Sequence, residues 1–132
     1  MSFENVQPGL EGQVVELVIE ENTARHLGSG GVSVLATPRM ILLMERAGVA
    51  AVDHLLPEGY RTVGAHLDVS HLAPTPVGLT VTARAELIEV DGRRLTFRVE
   101  AHDGVELVGE GTHQRYIVNV ERFGQRVAEK AR

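Results

Sequence analysis

The chain has 132 residues, 43% hydrophobic and 23% charged, with mean hydropathy near zero, the profile of one soluble globular domain. A formal net charge of −5 and only 4% aromatic residues exclude a dedicated nucleic-acid binder, which needs basic surface and stacking platforms. The absence of cysteine removes thiol nucleophiles, Cys-based zinc sites and disulfides, and points to the cytoplasm. No apolar run approaches the roughly 18 residues of a membrane span.

Residues 1–10, which include Pro8 and Gly9, read as a lead-in arm. The run 12-GQVVELVIEE-21 is a predicted strand, with Val15, Leu17 and Ile19 on one face. A glycine loop, 27-LGSGG-31, and a short strand, 32-VSVLA-36, lead to 37-TPRMILLMERAGVAAVDHLL-56, the clearest helix in the chain. Thr37 is the expected N-cap, Pro38 takes the first helical position, and Pro57 and Gly59 end the helix. At about 100° per residue, Arg39, Arg46 and Asp53 line up in one narrow polar stripe. The remaining surface is so apolar that other structure must wrap it.

Beyond the helix the chain alternates almost throughout. The run 61-RTVGAHLDVSHL-72 is one strand with a bend expected at Gly64, and 79-LTVTARAELIEV-90 alternates for a dozen residues. The segment 91-DGRR-94 is an Asp-Gly hairpin turn into 95-LTFRVEAHD-103, which places Leu95, Phe97, Val99 and Ala101 on one face. After a turn at Gly104, 105-VELVGEGTHQRYIV-118 is the last strand, where Gly109 and Gly111 mark a bulge or a close backbone approach. The tail, 120–132, is expected to form a short exposed helix. The order defines an α+β domain over residues 1–132: a curved antiparallel sheet wrapped around one long apolar helix, the hotdog fold. Such a sheet leaves edges and one face open, so a homodimer is expected, with pairing of dimers into a tetramer undecided.

Two polar residues break this pattern. Glu45 lies about 80–120° from the polar stripe, among Ile41, Val49, Val52 and Leu56, where a bare carboxylate is costly. His71 shares the apolar face of its strand with Leu67 and Val69 and is followed by Pro74 and Pro76, which end and stiffen the strand. Each breach could satisfy the other: a Glu45–His71 pair would fix the imidazole tautomer and raise its basicity. Thr37, beside the positive end of the helix, is either a simple cap or a nucleophilic or water-orienting hydroxyl.

The segments 36-ATPRM-40 and 62-TVGAHLDVSHLAPTPVGLTVTARAELIEVDGRRLTFRVEAHD-103, with the helix carrying Glu45 between them, resemble the hotdog acyl-CoA thioesterases, in the branch that includes fluoroacetyl-CoA thioesterase. The resemblance runs from about Ser33 to Tyr116 and is most specific in HLAPTPVG and VDGRRLTFRVEA. It implies hydrolysis of a small acyl-CoA thioester, with Thr37, Glu45 and His71 as catalytic residues. It also implies that the Gly64 backbone lies against the acyl carbonyl, that Arg115 is near the active site or the coenzyme, and that the pocket forms between two subunits. The chain departs from the fluoroacetyl-specific pattern in one respect. No aromatic residue occurs between Phe3 and Tyr60, so fluoroacetyl selectivity is not expected.

The competing readings are a non-catalytic acyl-CoA or small-ligand binding protein and a hotdog hydratase or dehydratase, whose usual Asp/His segment is absent. His26, His54, His66, His102 and His113 fall on presumed loops and polar faces without ligand spacing, so neither a metal nor a cofactor is expected. Arg93 and Arg94, with Arg84 and Arg98 nearby, read as a solvated face that could hold coenzyme phosphates if a pocket adjoins it.

Overall fold

The alternating segments become five antiparallel strands in the computed structural model, which describes residues 3–132. They are β1 (Glu11–Leu17), β2 (Tyr60–His71), β3 (Thr80–Asp91), β4 (Arg94–His102) and β5 (Leu107–Asn119), in the spatial order β1-β3-β4-β5-β2. The β3–β4 hairpin closes at Gly92, whose φ of 61° suits glycine in a tight turn. Its inward residues Val81, Ala83, Leu87, Leu95, Phe97 and Val99 are buried against the long helix α2 (Thr37–Val52), which contributes Met40, Leu43, Met44, Ala47 and Ala51. At about 1.5–3 kcal/mol for each large apolar side chain, this helix–sheet interface is the main source of stability. The expected curled sheet around one helix is therefore present, with β1 and β2 as its edges.

Glycine sets how closely these layers pack. A methyl group at Gly12 of β1 would overlap the carbonyl of Ala47, and one at Gly109 would overlap the thioether of Met40. The bend expected at Gly64 is a register shift between Gly64 and His66 in the β2–β5 ladder. The arm before β1 also belongs to the core: Val6 is buried, and Gly9 and Leu10 exchange backbone hydrogen bonds with Leu87. The first two residues of that arm lie outside the described residues.

Four local expectations are corrected. The first strand stops at Leu17, because Glu20–Asn22 form a 3-10 turn and Thr23 caps a single-turn helix, α1 (Ala24–Leu27), by accepting from the His26 amide. Residues 32–36 form no strand but two isolated bridges, Thr23↔Leu35 and Val34↔Pro76. Helix α2 ends at Val52 rather than residue 56 and passes into a 3-10 turn, with the Asp53 carboxylate accepting from the Thr62 amide and hydroxyl at 3.1 and 2.5 Å. The polar stripe does not simply face water, since Arg39 grips Glu16 of β1 with two donors. It is the other flank of α2 that a single chain leaves open: Ile41, Leu42 and Glu45 are half-buried and Val49 is 38% exposed.

The tail does form a helix, α3 (Val120–Lys130), whose N-cap Asn119 accepts from the Arg122 amide at 3.0 Å. Because β1 rests directly on α2 backbone, Gly12→Ala should destabilise the protein by about 2 kcal/mol through overpacking, whereas Gly104→Ala strains only a turn. Urea denaturation of both variants checks this, and an unaffected Gly12→Ala would mean the layers can separate freely.

Candidate active site

Thr37 opens α2 and His71 closes β2, and the curl of the sheet brings them together. The Thr37 hydroxyl and His71 Nδ1 are 2.7 Å apart. This corrects the capping expectation: Ala36 is the N-cap, no side chain caps the helix, and the Thr37 hydroxyl is directed at the imidazole instead. The pair sits on a cavity of about 320 Å³, also lined by Ala24, Ser29, Val34 and Pro74, none of them aromatic. Burial lowers the His71 pKa from the ordinary imidazole value, with the Ala73 backbone opposing in part. Its Nε2 is buried and finds no hydrogen-bond partner. The ring is thus neutral and able to take a proton from the hydroxyl beside it.

Glu45 lies elsewhere. It sits eight residues further along α2, about 12 Å up the helix axis, and makes no hydrogen bond or ion pair with His71. The expected Glu45–His71 pair is therefore not formed within one chain. Instead, a Glu45 carboxylate oxygen is 3.8 Å from Arg115 Nη1 and would be 2.8 Å from a Cβ at Gly64, so a side chain there would push the carboxylate aside. The carboxylate retains partial solvent access, while Arg115 is almost wholly buried.

Arg115 is held on every side. Its Nε donates to the Thr62 hydroxyl at 2.8 Å, and Nη2 donates to the Thr62 carbonyl at 3.1 Å. Nη1 donates to His113 Nε2 at 3.1 Å. The other nitrogen of His113 is 2.8 Å from the His66 carbonyl, an acceptor only, so His113 must be neutral with its proton on Nδ1. Asp53 closes the chain through the Thr62 hydroxyl. Burial lowers the pKa of Arg115, opposed by the negative charges of Asp53 and Glu45, and burial likewise lowers that of His113. Gly48 of α2 makes the space: a Cβ there would be 3.3 Å from Arg115 and 3.6 Å from His113.

Two groups therefore emerge, Thr37 with His71 and Glu45 with Gly64 and Arg115. Sequence reasoning misses Thr62, Asp53 and His113 in the second. Residue type alone puts His113 on a polar surface, but it is fully buried and stacks on Phe97 with ring centroids 6.2 Å apart. The signal that could find it is parity, since His113 and Arg115 alternate in register with the buried Ile117. Among the described residues, no cluster of three His, Asp or Glu side chains is arranged to hold a metal ion.

This curled sheet on one helix is shared with a hot-dog-like protein from Thermanaerovibrio acidaminovorans, at TM-score 0.90 and 28% identity over 98% of this chain and 97% of that one. A variant of the fluoroacetyl-CoA thioesterase solved with acetyl-CoA superposes with TM-score 0.90 and 39% identity, covering 96% of this chain and all of the other. The fluoroacetyl-CoA thioesterase of Streptantibioticus cattleyicolor is 48% identical over 97 residues, 74% of this chain and 70% of that protein. Residues 18–121 match the fluoroacetyl-CoA-specific thioesterase (FlK) family, and the chain belongs to that family.

The half-buried His71 and the buried His113 make stability depend on pH. Both hold fewer protons folded than unfolded, so their contribution is present above the ordinary imidazole value and is lost as pH falls through their lowered folded values. Urea midpoints should fall between about pH 7.5 and about pH 5, and His113→Gln should flatten that fall by keeping both hydrogen bonds without a titrating ring. An unchanged pH slope in His113→Gln would mean that His113 is not held neutral.

Proposed function

We propose that the chain is a thioesterase that hydrolyses a small acyl-CoA ester to the free acid and CoA, using Thr37, Glu45 and His71, as a homodimer whose two sites are each shared between subunits. The observation that carries this reading is the 2.7 Å approach of the Thr37 hydroxyl to a neutral, half-buried imidazole at the start of a long helix. His71 takes a proton either from Thr37, whose oxygen attacks the thioester carbon, or from a water that Thr37 orients. The C–S bond then breaks, and the imidazolium returns its proton to the departing thiolate. In the Thr37 route a water, deprotonated by the same base, then cleaves the acyl ester and restores the Thr37 hydroxyl. The helix start favours the negative oxygen that develops at the carbonyl.

Glu45 enters from the second subunit. Strand β2 is a free edge whose Gly64, Ala65, His66, Asp68 and Ser70 are exposed. Antiparallel pairing of two copies of β2 about an axis between Leu67 and Asp68 would set Gly64, and with it Glu45, opposite the partner subunit's His71. The same pairing would cover the open flank of α2. The carboxylate would then orient the imidazole across the interface or join in acyl transfer, with the Gly64 backbone beside the acyl carbonyl.

Two of the named relatives are a fluoroacetyl-CoA thioesterase and a variant of it solved with acetyl-CoA, which supports a two-carbon or similarly small acyl group. The cavity wall carries no aromatic ring, which argues for small acyl groups generally rather than fluoroacetyl selectivity. The reading includes a cytoplasmic location, in keeping with a cysteine-free chain; no helix of the described residues is long and apolar enough to cross a membrane.

Thr37→Ala and His71→Ala should each lower acetyl-CoA turnover by about 10²–10⁴, and Thr37→Ser should retain most of it. Full activity in His71→Ala would remove the mechanism. Glu45→Ala and His71→Ala chains, each inactive alone, should recover about a quarter of native activity after equal mixing and random re-pairing, because half the dimers then hold one intact site of two. No recovery despite verified heterodimers would place Glu45 and His71 in separate roles.

A further inference from the structure

A coenzyme-A ester carries several phosphate charges, and a chain of net charge −5 must meet them with local positive charge. Five of the twelve arginines are already engaged. Arg39 and Arg46 face Glu16, Arg84 lies between Glu11 and Glu100, Arg94 meets Glu89 and Asp91, and Arg115 is buried. The cavity at Thr37 and His71 is lined by no lysine or arginine.

One concavity differs. A depression of about 240 Å³ lies where the β3–β4 turn, the end of β5 and the start of α3 meet, and Arg93, Arg122 and Arg126 line it beside Phe123. Among the described residues none of the three guanidiniums pairs with a carboxylate, although Glu121 and Glu129 share the helix of Arg122 and Arg126. Arg93 is partly preset by the rings of Phe3 and Tyr60, 5.7 and 5.8 Å from its guanidinium carbon. Arg122 and Arg126 are one turn apart on α3, and Phe123, 40% exposed, lines the depression beside them.

We infer that this depression, built from Arg93, Arg122, Arg126 and Phe123, is the subsite for the nucleotide end of the coenzyme, with the guanidiniums on its phosphates and the Phe123 ring against its adenine. Guanidinium forks suit phosphate oxygens, and an exposed aromatic ring suits a base. The position suits an arm leading from the thioester. Asn119 at the edge of the depression pairs with Tyr60, four residues and about 13 Å along β2 from Gly64. In the proposed dimer, this end of β2 also lies alongside the partner's thioester cavity. The inference rests on the thioesterase function proposed for the chain and deepens it.

The test compares acetyl-CoA with S-acetyl-pantetheine, which lacks the nucleotide, in the native dimer, in Arg122→Ala/Arg126→Ala, and in Arg98→Ala on the outer face of β4. The preference in kcat/KM for acetyl-CoA over S-acetyl-pantetheine should fall at least about tenfold in the double variant and stay put in Arg98→Ala; tenfold corresponds to about 1.4 kcal/mol. Adenosine 3′,5′-bisphosphate, followed by calorimetry, reads the subsite without turnover and should bind the native protein more tightly than the double variant. An unchanged preference, or equal nucleotide affinity in both proteins, overturns the subsite while leaving thioester hydrolysis intact. Nucleotide binding lost in the double variant, in a native protein that cleaves neither ester, supports the subsite and overturns the hydrolase reading instead. Phosphatidylserine-vesicle binding that is lost in the double variant, with the preference unchanged, assigns α3 to a membrane surface and also overturns it.

Discussion

How closely α2 approaches the sheet decides where every polar group of the site can be. A helix packed through ordinary side chains stands about 10 Å from its neighbour. Here glycine replaces side chain at the contact: Gly12 admits the α2 backbone on one side, and Gly64 admits the Glu45 carboxylate on the other. With the helix set this low, its first residue reaches the end of β2 and its middle reaches the bulge in the same strand. Had Gly12 carried a side chain, α2 would have to rise or tilt, and Thr37 and Glu45 would move together because they share one rigid rod. The spacing of the site is thus a property of the helix–sheet interface rather than of any loop.

Beneath Glu45 lies the most expensive group in the fold, a buried guanidinium. Stripping water from Arg115 is unfavourable by several kcal/mol, and one carboxylate at 3.8 Å does not by itself offset that. The remaining stabilisation comes from giving each guanidinium nitrogen a partner: Thr62 takes two bonds, a neutral His113 takes one, and Asp53 adds a second negative charge behind Thr62. An imidazolium at His113 would turn an acceptor into a donor and place two positive charges 3.1 Å apart, which is why burial and Arg115 both hold that ring neutral. The reward is a rigid positive charge under a half-exposed carboxylate, held without a flexible side chain.

Much of this is legible in the chain itself. Period-2 alternation in 79–90 and 95–103 locates β3 and β4, and Pro38 with the apolar run after it locates α2. Glu45 and His71 stand out because each breaks a pattern, and the breach is real in both cases. Their pairing within one chain is a false inference because a helical wheel gives angle but not height: eight residues along α2 is about 12 Å, and the wheel hides it. Thr37 reads as a cap because cap preference is local, whereas the bond that claims its hydroxyl comes from 34 residues away. Residues 32–36 resemble a strand by composition, but they run beside neither edge strand and make only single bridges to Thr23 and Pro76. His113 is hidden by its residue type, since its polarity outweighs its parity with Ile117.

The separation between base and coenzyme charge obeys the same physics. As the proposed base, His71 would work only while neutral, and its burial already lowers its pKa. Coenzyme phosphates in the same cavity would favour the imidazolium and undo that, while an arginine placed there to neutralise them would cost desolvation and compete for the developing oxyanion. Holding the nucleotide at α3 avoids both. In the proposed dimer it would lie about 13 Å along β2 from Gly64, the level that would face the partner's His71, beyond the roughly 8 Å screening length of physiological salt. A cavity without cationic side chains for the proposed base, and a separate cationic depression for the nucleotide, would let a negatively charged chain accept a negatively charged substrate without exposing its base to either charge.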